Sequence, residues 1–211
     1  PTPRDPEEIE HLWDQRYASA DALWSGQPNA TLVTELQGLR PGRVLDVGCG
    51  EGADALWLAA HGWLVTALDV SRVALDRAAR HAEPLGVEVN WVHAGLVEAA
   101  LPPASFDVVS AQYPALLRTA GNEAERALLA AVAPGGVLLV VHHPQPTAEQ
   151  AAEQAATHGF DRRDYVSPAD VAALLDDRWQ VEVDEIRPRH VSAGAGSHHT
   201  EDVVLRARRL R

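Results

Sequence analysis

In the stretch Val44–Gly62, VLDVGCGEGADALWLAAHG, glycines stand at 48, 50 and 52 between an apolar run and a helical pattern. Glycines so spaced let a backbone turn tightly and come close to a ligand. With Ala53 in the third place, Gly48 and Gly50 also fit the spacing of a dinucleotide-binding turn. In such a turn a pyrophosphate rests on the helix N-terminus. Here, however, Asp46 stands two residues before the first glycine and Glu51 lies inside the loop. Carboxylates at those places repel a phosphate and attract a ligand that carries positive charge.

S-adenosylmethionine is a ligand of that kind. It has no phosphate and carries an α-ammonium and a sulfonium. Asp46 is expected to meet the ammonium directly or through water. Asp69, at the end of the next apolar run, is placed to accept both ribose hydroxyls. That task exists in dinucleotide sites as well, so an NAD-type oxidoreductase stays open, supported by the Gly48–Gly50–Ala53 match. Two blander readings also stand: a bare strand–helix turn, and Asp46 as a simple cap of the following helix. Cys49 reads as a small residue that fits the turn.

These residues need elements to hold them. Asp5 and Pro6 open a first helix, on which Trp13 and Tyr17 share one face. Residues 25–29 form a loop, and Asn29 is a good cap for a helix over Ala30–Leu39. Strands and helices then alternate. Strands are expected at Val44–Val47, Leu64–Leu68, Glu88–His93, Phe106–Ser110 and Val137–Val141. Helices are expected at Gly52–His61, Arg72–Glu83 capped by Ser71, and Glu123–Val132 ended by Pro134-Gly135-Gly136. A polar-faced helix over Thr147–Thr157, a loop over Gly159–Val166 and a helix over Ala169–Leu175 follow. Gln180–Ile186 and Asp202–Arg206 read as two last strands. Such alternation predicts an α/β fold, a parallel sheet covered by helices on both faces. Ligands in such sheets bind at the carboxyl ends of the strands, near the switch point.

The bulk numbers narrow the class. At 211 residues the chain is expected to form one domain over 1–211. Residues 1–40 would make a helical cap over the site, and 142–166 either a lid or an inert insertion. Apolar content of 46% and charged content of 23% describe an ordinary globular protein. No apolar run reaches the ~20 residues that span a bilayer. The first twenty residues lack a signal peptide's apolar core. A cytoplasmic protein without a membrane partner is expected. A net charge of −12 disfavours nucleic acid as partner. The single cysteine, Cys49, excludes an internal disulfide framework.

The stretches LDVGCGEGADALWLA, VTALDVS, FDVVSAQYP and APGGVLLVV, taken in order, resemble the successive motifs of class I S-adenosylmethionine-dependent methyltransferases. The N-terminal WDQRYASADALWSGQPNATLV resembles the narrower tellurite-resistance and thiopurine-type group. The resemblance implies a Rossmann-like seven-stranded, mostly parallel sheet with a final antiparallel hairpin. It implies that Asp46, Gly48, Gly50 and Gly52 hold the methionine part of the donor, and Asp69 and Val70 the ribose and adenine edge. Gln112 and Tyr113 would face the methyl group or the acceptor, and Trp24 would help enclose the donor. One departure stands out. Where the family often has an acid after the third strand, this chain has His93-Ala94-Gly95-Leu96. The backbone of Gly95 and Leu96 is left to clasp the adenine.

In that topology the start of the last strand lies beside the end of the fifth. His142 and His143 after the fifth strand, His190 after the sixth, and His198 and His199 before the seventh would then gather on the ligand side. Three readings compete. One imidazole is a general base with a pKa near 6.5. Two or more of His142, His143, His198 and His199 bind a metal. Or the histidines only pack. Trp13, Tyr17 and Trp24 either wall the acceptor pocket or pack the first helix onto the sheet. The expected activity is methyl transfer to a small-molecule nucleophile (sulfur, selenium, tellurium, nitrogen or oxygen). A non-catalytic protein that binds S-adenosylmethionine is the remaining alternative.

Overall fold

The computed structural model describes residues 2–147, 149, 161–189 and 199–211. Seven strands form one sheet in the order β3-β2-β1-β4-β5-β7-β6. They are β1 Arg43–Val47, β2 Leu64–Asp69, β3 Asn90–His93, β4 Phe106–Gln112, β5 Val132–His142, β6 Trp179–Pro188 and β7 Glu201–Arg209. All neighbours pair in parallel except β7, which runs antiparallel to both β5 and β6. The Rossmann-like sheet and its terminal hairpin are as the sequence implies. The order reverses between β1 and β4, and their carboxyl ends open the crevice where such sheets hold ligands.

Side chains of period two along the central strands feed two cores. Leu45, Val47, Val109, Ala111, Leu138 and Val140 face one core with Leu128 of α5 (Glu123–Ala131). Val44, Val108, Leu139 and Val141 face the other. That second core is covered by Leu32 and Leu36 of α2 (Ala30–Leu36) and by Ala55 and Leu58 of α3 (Ala53–Ala60). Helix α1 (Pro6–Ala18) packs on α4 (Arg72–Ala82) through one carboxylate. Asp14 Oδ1 accepts from Ser71 Oγ at 2.6 Å and from the Val73 amide at 3.1 Å. Among the described residues no helix is long and apolar enough to cross a membrane.

Several boundaries differ from the sequence reading. Asn29 makes no side-chain cap on α2; its amide group bonds Asp54 instead. Helix α5 stops at Ala131, and Pro134-Gly135-Gly136 do not end it but bulge within β5. The register with β4 jumps there, from Phe106↔Val132 to Val108↔Val137. A Cβ on Gly136 would lie 2.9 Å from the Asp107 carbonyl oxygen, so only glycine lets the bulge close. Helix α6 (Pro168–Ala172) starts one residue earlier than expected, behind a capping box of Ser167 and Asp170. Most of the helix expected over Thr147–Thr157, and of the segment 142–166 beyond its ends, lies outside the described residues.

Candidate active site

A cavity of about 490 Å³ opens at the carboxyl ends of β1, β2 and β4. Its floor is the glycine turn. Gly48, Gly50 and Gly52 all have positive φ, at 70°, 53° and 86°. The Gly48 and Cys49 amides both donate to the Leu68 carbonyl, at 2.8 and 3.0 Å. The glycines also admit neighbours. A Cβ on Gly50 would lie 2.8 Å from the Tyr17 hydroxyl, and one on Gly52 2.8 Å from Ala78 Cβ.

Three aspartates are buried around this floor: Asp46, Asp54 and Asp69. They are not equivalent. Asp54 accepts from the Asn29 amide at 2.7 Å and from Asn29 Nδ2 at 2.8 Å. Asp69 accepts from the Gly50 amide at 2.8 Å on one oxygen and from the Ser71 amide at 2.8 Å on the other. Asp46 takes a backbone hydrogen bond from Ala55 in α3, so it does cap that helix. Its Oδ2 is buried with no hydrogen-bond partner. Burial pushes the Asp46 carboxyl well above the usual range, and the charges of Asp54 and Asp69 push it further. An orphaned, buried carboxylate oxygen lining a cavity is what a cationic ligand group would satisfy.

Glu51 does not act as expected. Its carboxylate accepts from Arg77 at 2.8 Å and from the Leu23 and Trp24 amides at 3.1–3.2 Å. The charge is matched by Arg77, and its effect is to hold the N-terminal segment against the turn. That segment closes one end of the cavity, with residues 24–29 lining it beside Trp13 and Tyr17. Trp24 Nε1 donates to the Tyr17 hydroxyl at 3.1 Å. Val70, Gly95 and Leu96 line the far side. The Val70 carbonyl accepts from His93 Nε2 at 3.0 Å, and the Glu98 carboxylate fills the space a side chain at Gly95 would need.

The cavity continues past Gln112 to Tyr113 and His143. Tyr113 sits in the left-handed region, φ 52°, and its ring stacks on His143 with centroids 4.5 Å apart. His199 stacks on the other side of His143 at 3.7 Å. His142 does not line the cavity. The His143 amide donates to His142 Nδ1 at 2.9 Å, and the His142 ring also bonds the Pro114 backbone. It thereby staples the ends of β4 and β5. His190 and His198 lie outside the described residues. Among the described residues no three His, Cys, Asp or Glu side chains converge as metal ligands would.

An imidazole titrating near 6.5 is not found at 142 or 143. Burial lowers His142 to about 4, and burial with the neighbouring His199 and Arg162 lowers His143 to about 2. Both are neutral at pH 7. A histidine so depressed holds its contribution at neutral pH and loses it as the pH falls from the unfolded pKa of about 6.5 toward the folded one. His142→Gln is therefore expected to lower the melting temperature less at pH 5 than at pH 7, measured against the native chain by calorimetry. An equal loss at both pH values would show that folding leaves the proton affinity of His142 unchanged.

Sequence reasoning missed Asp202. It is buried at the start of β7 and lines the cavity. Its Oδ1 accepts from the Tyr113 hydroxyl at 2.7 Å and its Oδ2 from Thr31 Oγ1 at 3.1 Å. Arg189 Nε lies 3.5 Å from the same carboxylate and donates to the Tyr113 hydroxyl at 3.0 Å. The available signal was an acid immediately before the apolar run Val203–Leu205.

Residues 44–136 match the family model described as a methyltransferase domain. A protein of Mycobacterium tuberculosis named as an uncharacterized methyltransferase is 38% identical over 104 residues, 49% of this chain and 52% of its own length. The chain spans about half the length of the curated relatives it matches. Among solved structures, one described under the conversion of a disulfide bond into a thioacetal group during echinomycin biosynthesis is similar over 95% of this chain and 92% of its own. Its TM-score is 0.73 at 24% identity. Geranyl diphosphate C-methyltransferase from Streptomyces coelicolor A3(2) is similar over 100% of both chains, with a TM-score of 0.70 at 14% identity. Residues 44–136 are thus similar to a methyltransferase domain, and the chain shares its Rossmann-like fold with methyltransferases of known structure.

Proposed function

We propose that the chain is an S-adenosylmethionine-dependent methyltransferase acting on a small-molecule nucleophile. The observation that carries this reading is Asp46. Its unpartnered oxygen is buried at the one turn where a dinucleotide would lay its pyrophosphate. A phosphate there would meet an uncompensated carboxylate; an ammonium would complete its hydrogen bonding.

Asp46 and the turn Gly48–Gly52 would hold the amino-acid end of the donor. Asp69 would hold the ribose, and Val70, Gly95 and Leu96 the adenine edge. When bound, S-adenosylmethionine supplies an electrophilic methyl group on a cationic sulfur. Little covalent chemistry is then asked of the chain. Trp24, Tyr17 and Trp13 exclude water from the donor end, and Gln112, Tyr113 and His143 wall the acceptor. The N-terminal stretch from Trp13 to Val33 favours the tellurite-resistance and thiopurine-type group within the family.

A calorimetric titration tests the reading. S-adenosylhomocysteine is expected to bind saturably, more tightly as pH rises through the raised range of Asp46, and NADH is expected not to bind. NADH binding with no heat from S-adenosylhomocysteine would overturn it.

A further inference from the structure

The N-terminal segment that closes the glycine-turn end of the cavity is fixed at its two ends and loosely held between them. Before it, Asp14 of α1 accepts from Ser71 and Val73 of the α4 N-terminus. After it, Asn29 bonds Asp54 through its backbone amide and its side chain, and Thr31 bonds Asp202. From Ser19 to Pro28 the chain forms no helix or strand, and none of residues 18–27 is buried. Over residues 21–28 the described hydrogen bonds to the rest of the chain come from three groups. The Leu23 and Trp24 amides donate to the Glu51 carboxylate at 3.1–3.2 Å, and the Trp24 indole donates to the Tyr17 hydroxyl at 3.1 Å. A segment with so little buried apolar surface and so few backbone bonds opens at small cost. Gly26 has φ 72°, and a Cβ there would meet nothing within 4 Å, so no neighbour pins that residue.

Glu51 belongs to the body of the protein and not to the segment. Arg77 of α4 donates to its carboxylate at 2.8 Å, and the His81 ring bonds its carbonyl oxygen at 3.3 Å. When the segment lifts away, Glu51 keeps Arg77, so opening leaves no uncompensated buried carboxylate behind. From this arrangement we infer that residues 19–28 are a hinged gate over the glycine turn and that Glu51 is its latch. The cavity lies between Trp24–Asn29 on one side and Gly48–Glu51 on the other. A ligand seated on the turn is therefore covered by the gate, and it enters or leaves when the two amides release Glu51. Glu51 is a positioning residue that acts through the segment. It sets the rate of exchange between cavity and solvent, because the same latch holds the gate shut with the cavity empty or filled. The inference rests on the methyl-transfer reading for the identity of the ligand, S-adenosylmethionine or its product, but not for the latch itself.

The test is hydrogen exchange on the unliganded full chain, followed by stopped-flow binding of S-adenosylhomocysteine. In Glu51→Gln one carbonyl oxygen is left to serve Arg77 and both amides. The Leu23 and Trp24 amide hydrogens are expected to exchange at least about tenfold faster than in the native chain. The Gly48 and Cys49 amides, which donate to the Leu68 carbonyl, are expected to keep their rates. Association and dissociation of S-adenosylhomocysteine should then both quicken by at least about tenfold, with Kd unchanged within about threefold, because the variant weakens closure of the empty and the filled cavity alike. Unchanged exchange at Leu23 and Trp24 would overturn the assignment. So would equal acceleration at Gly48 and Cys49, which would make Glu51 a support of the turn, or faster dissociation with association unchanged, which would make it a ligand contact. Should Glu51→Gln not fold, Gly26→Ala strains the closed form through its positive φ without touching the latch. It is expected to raise the same two amide rates about fivefold or more, and absence of that rise would equally overturn the gate. Failure of S-adenosylhomocysteine to bind the native chain would count against the donor reading alone, because the exchange measurement needs no ligand.

Discussion

Replacing Asp46 with asparagine is expected to stabilise the unliganded protein while removing most of its donor affinity. Asp46 is buried, one of its oxygens has no partner, and Asp54 and Asp69 lie close enough to raise it further. A carboxyl whose folded value is raised binds more protons folded than unfolded, so unliganded stability falls as pH rises through that raised range. Asparagine keeps the shape and removes the charge. Relief of about 1–2 kcal/mol for an uncompensated buried charge corresponds to roughly 2–8 °C in melting temperature for a chain of this length. The gap between variant and native chain should widen with pH. Donor binding should move the other way. Losing one partner of a buried charge pair costs about 2 kcal/mol or more, so S-adenosylhomocysteine should bind at least about 30-fold more weakly. A variant that melts lower than the native chain and binds as well would show that Asp46 is a helix cap and nothing more.

The same residue shows what a sequence can carry. Strand, glycine turn and helix over Val44–Ala60 are contiguous, so period and turn chemistry fixed them locally. Asp46, Asp69 and the glycines were legible for that reason. What was not legible came from distant contacts. The bulge at Pro134-Gly135-Gly136 reads as a helix stop until Gly136 is seen against the Asp107 carbonyl of the neighbouring strand. Asn29 reads as a cap until Asp54 claims its side chain. Glu51 reads as a charge facing ligand until Arg77 and the Leu23 and Trp24 amides consume it. Asp202 enters the site because β7 returns antiparallel beside β5, which no local pattern around residue 202 states. His142 and His143 stand at the end of β5 as read, but their proton affinity depends on burial that composition does not reveal.

Asp69→Asn is expected to give the opposite stability result at nearly the same place. Burial raises Asp69 too, but the Ser71 and Gly50 amides pull it back by donating to its two oxygens. An asparagine offers one oxygen and one NH2, so one of those backbone amides loses its acceptor. Leaving a buried donor unpaired costs about 1–3 kcal/mol, which outweighs the relief of a carboxylate already so well bonded. The melting temperature should fall, and the turn through Gly50 should loosen, visible as faster exchange of the Gly50 amide hydrogen. Donor affinity should also fall, by roughly 10- to 150-fold, because a hydrogen bond to a charged acceptor is exchanged for one to a neutral amide. Methylthioadenosine separates the two aspartates. It keeps ribose and adenine and lacks the ammonium, so Asp46→Asn should bind it as the native chain does, while Asp69→Asn should bind it more weakly. If Asp46→Asn loses methylthioadenosine as severely as S-adenosylhomocysteine, its carboxylate is not reading the amino-acid end, and the electrostatic basis for a cationic donor at this turn is gone.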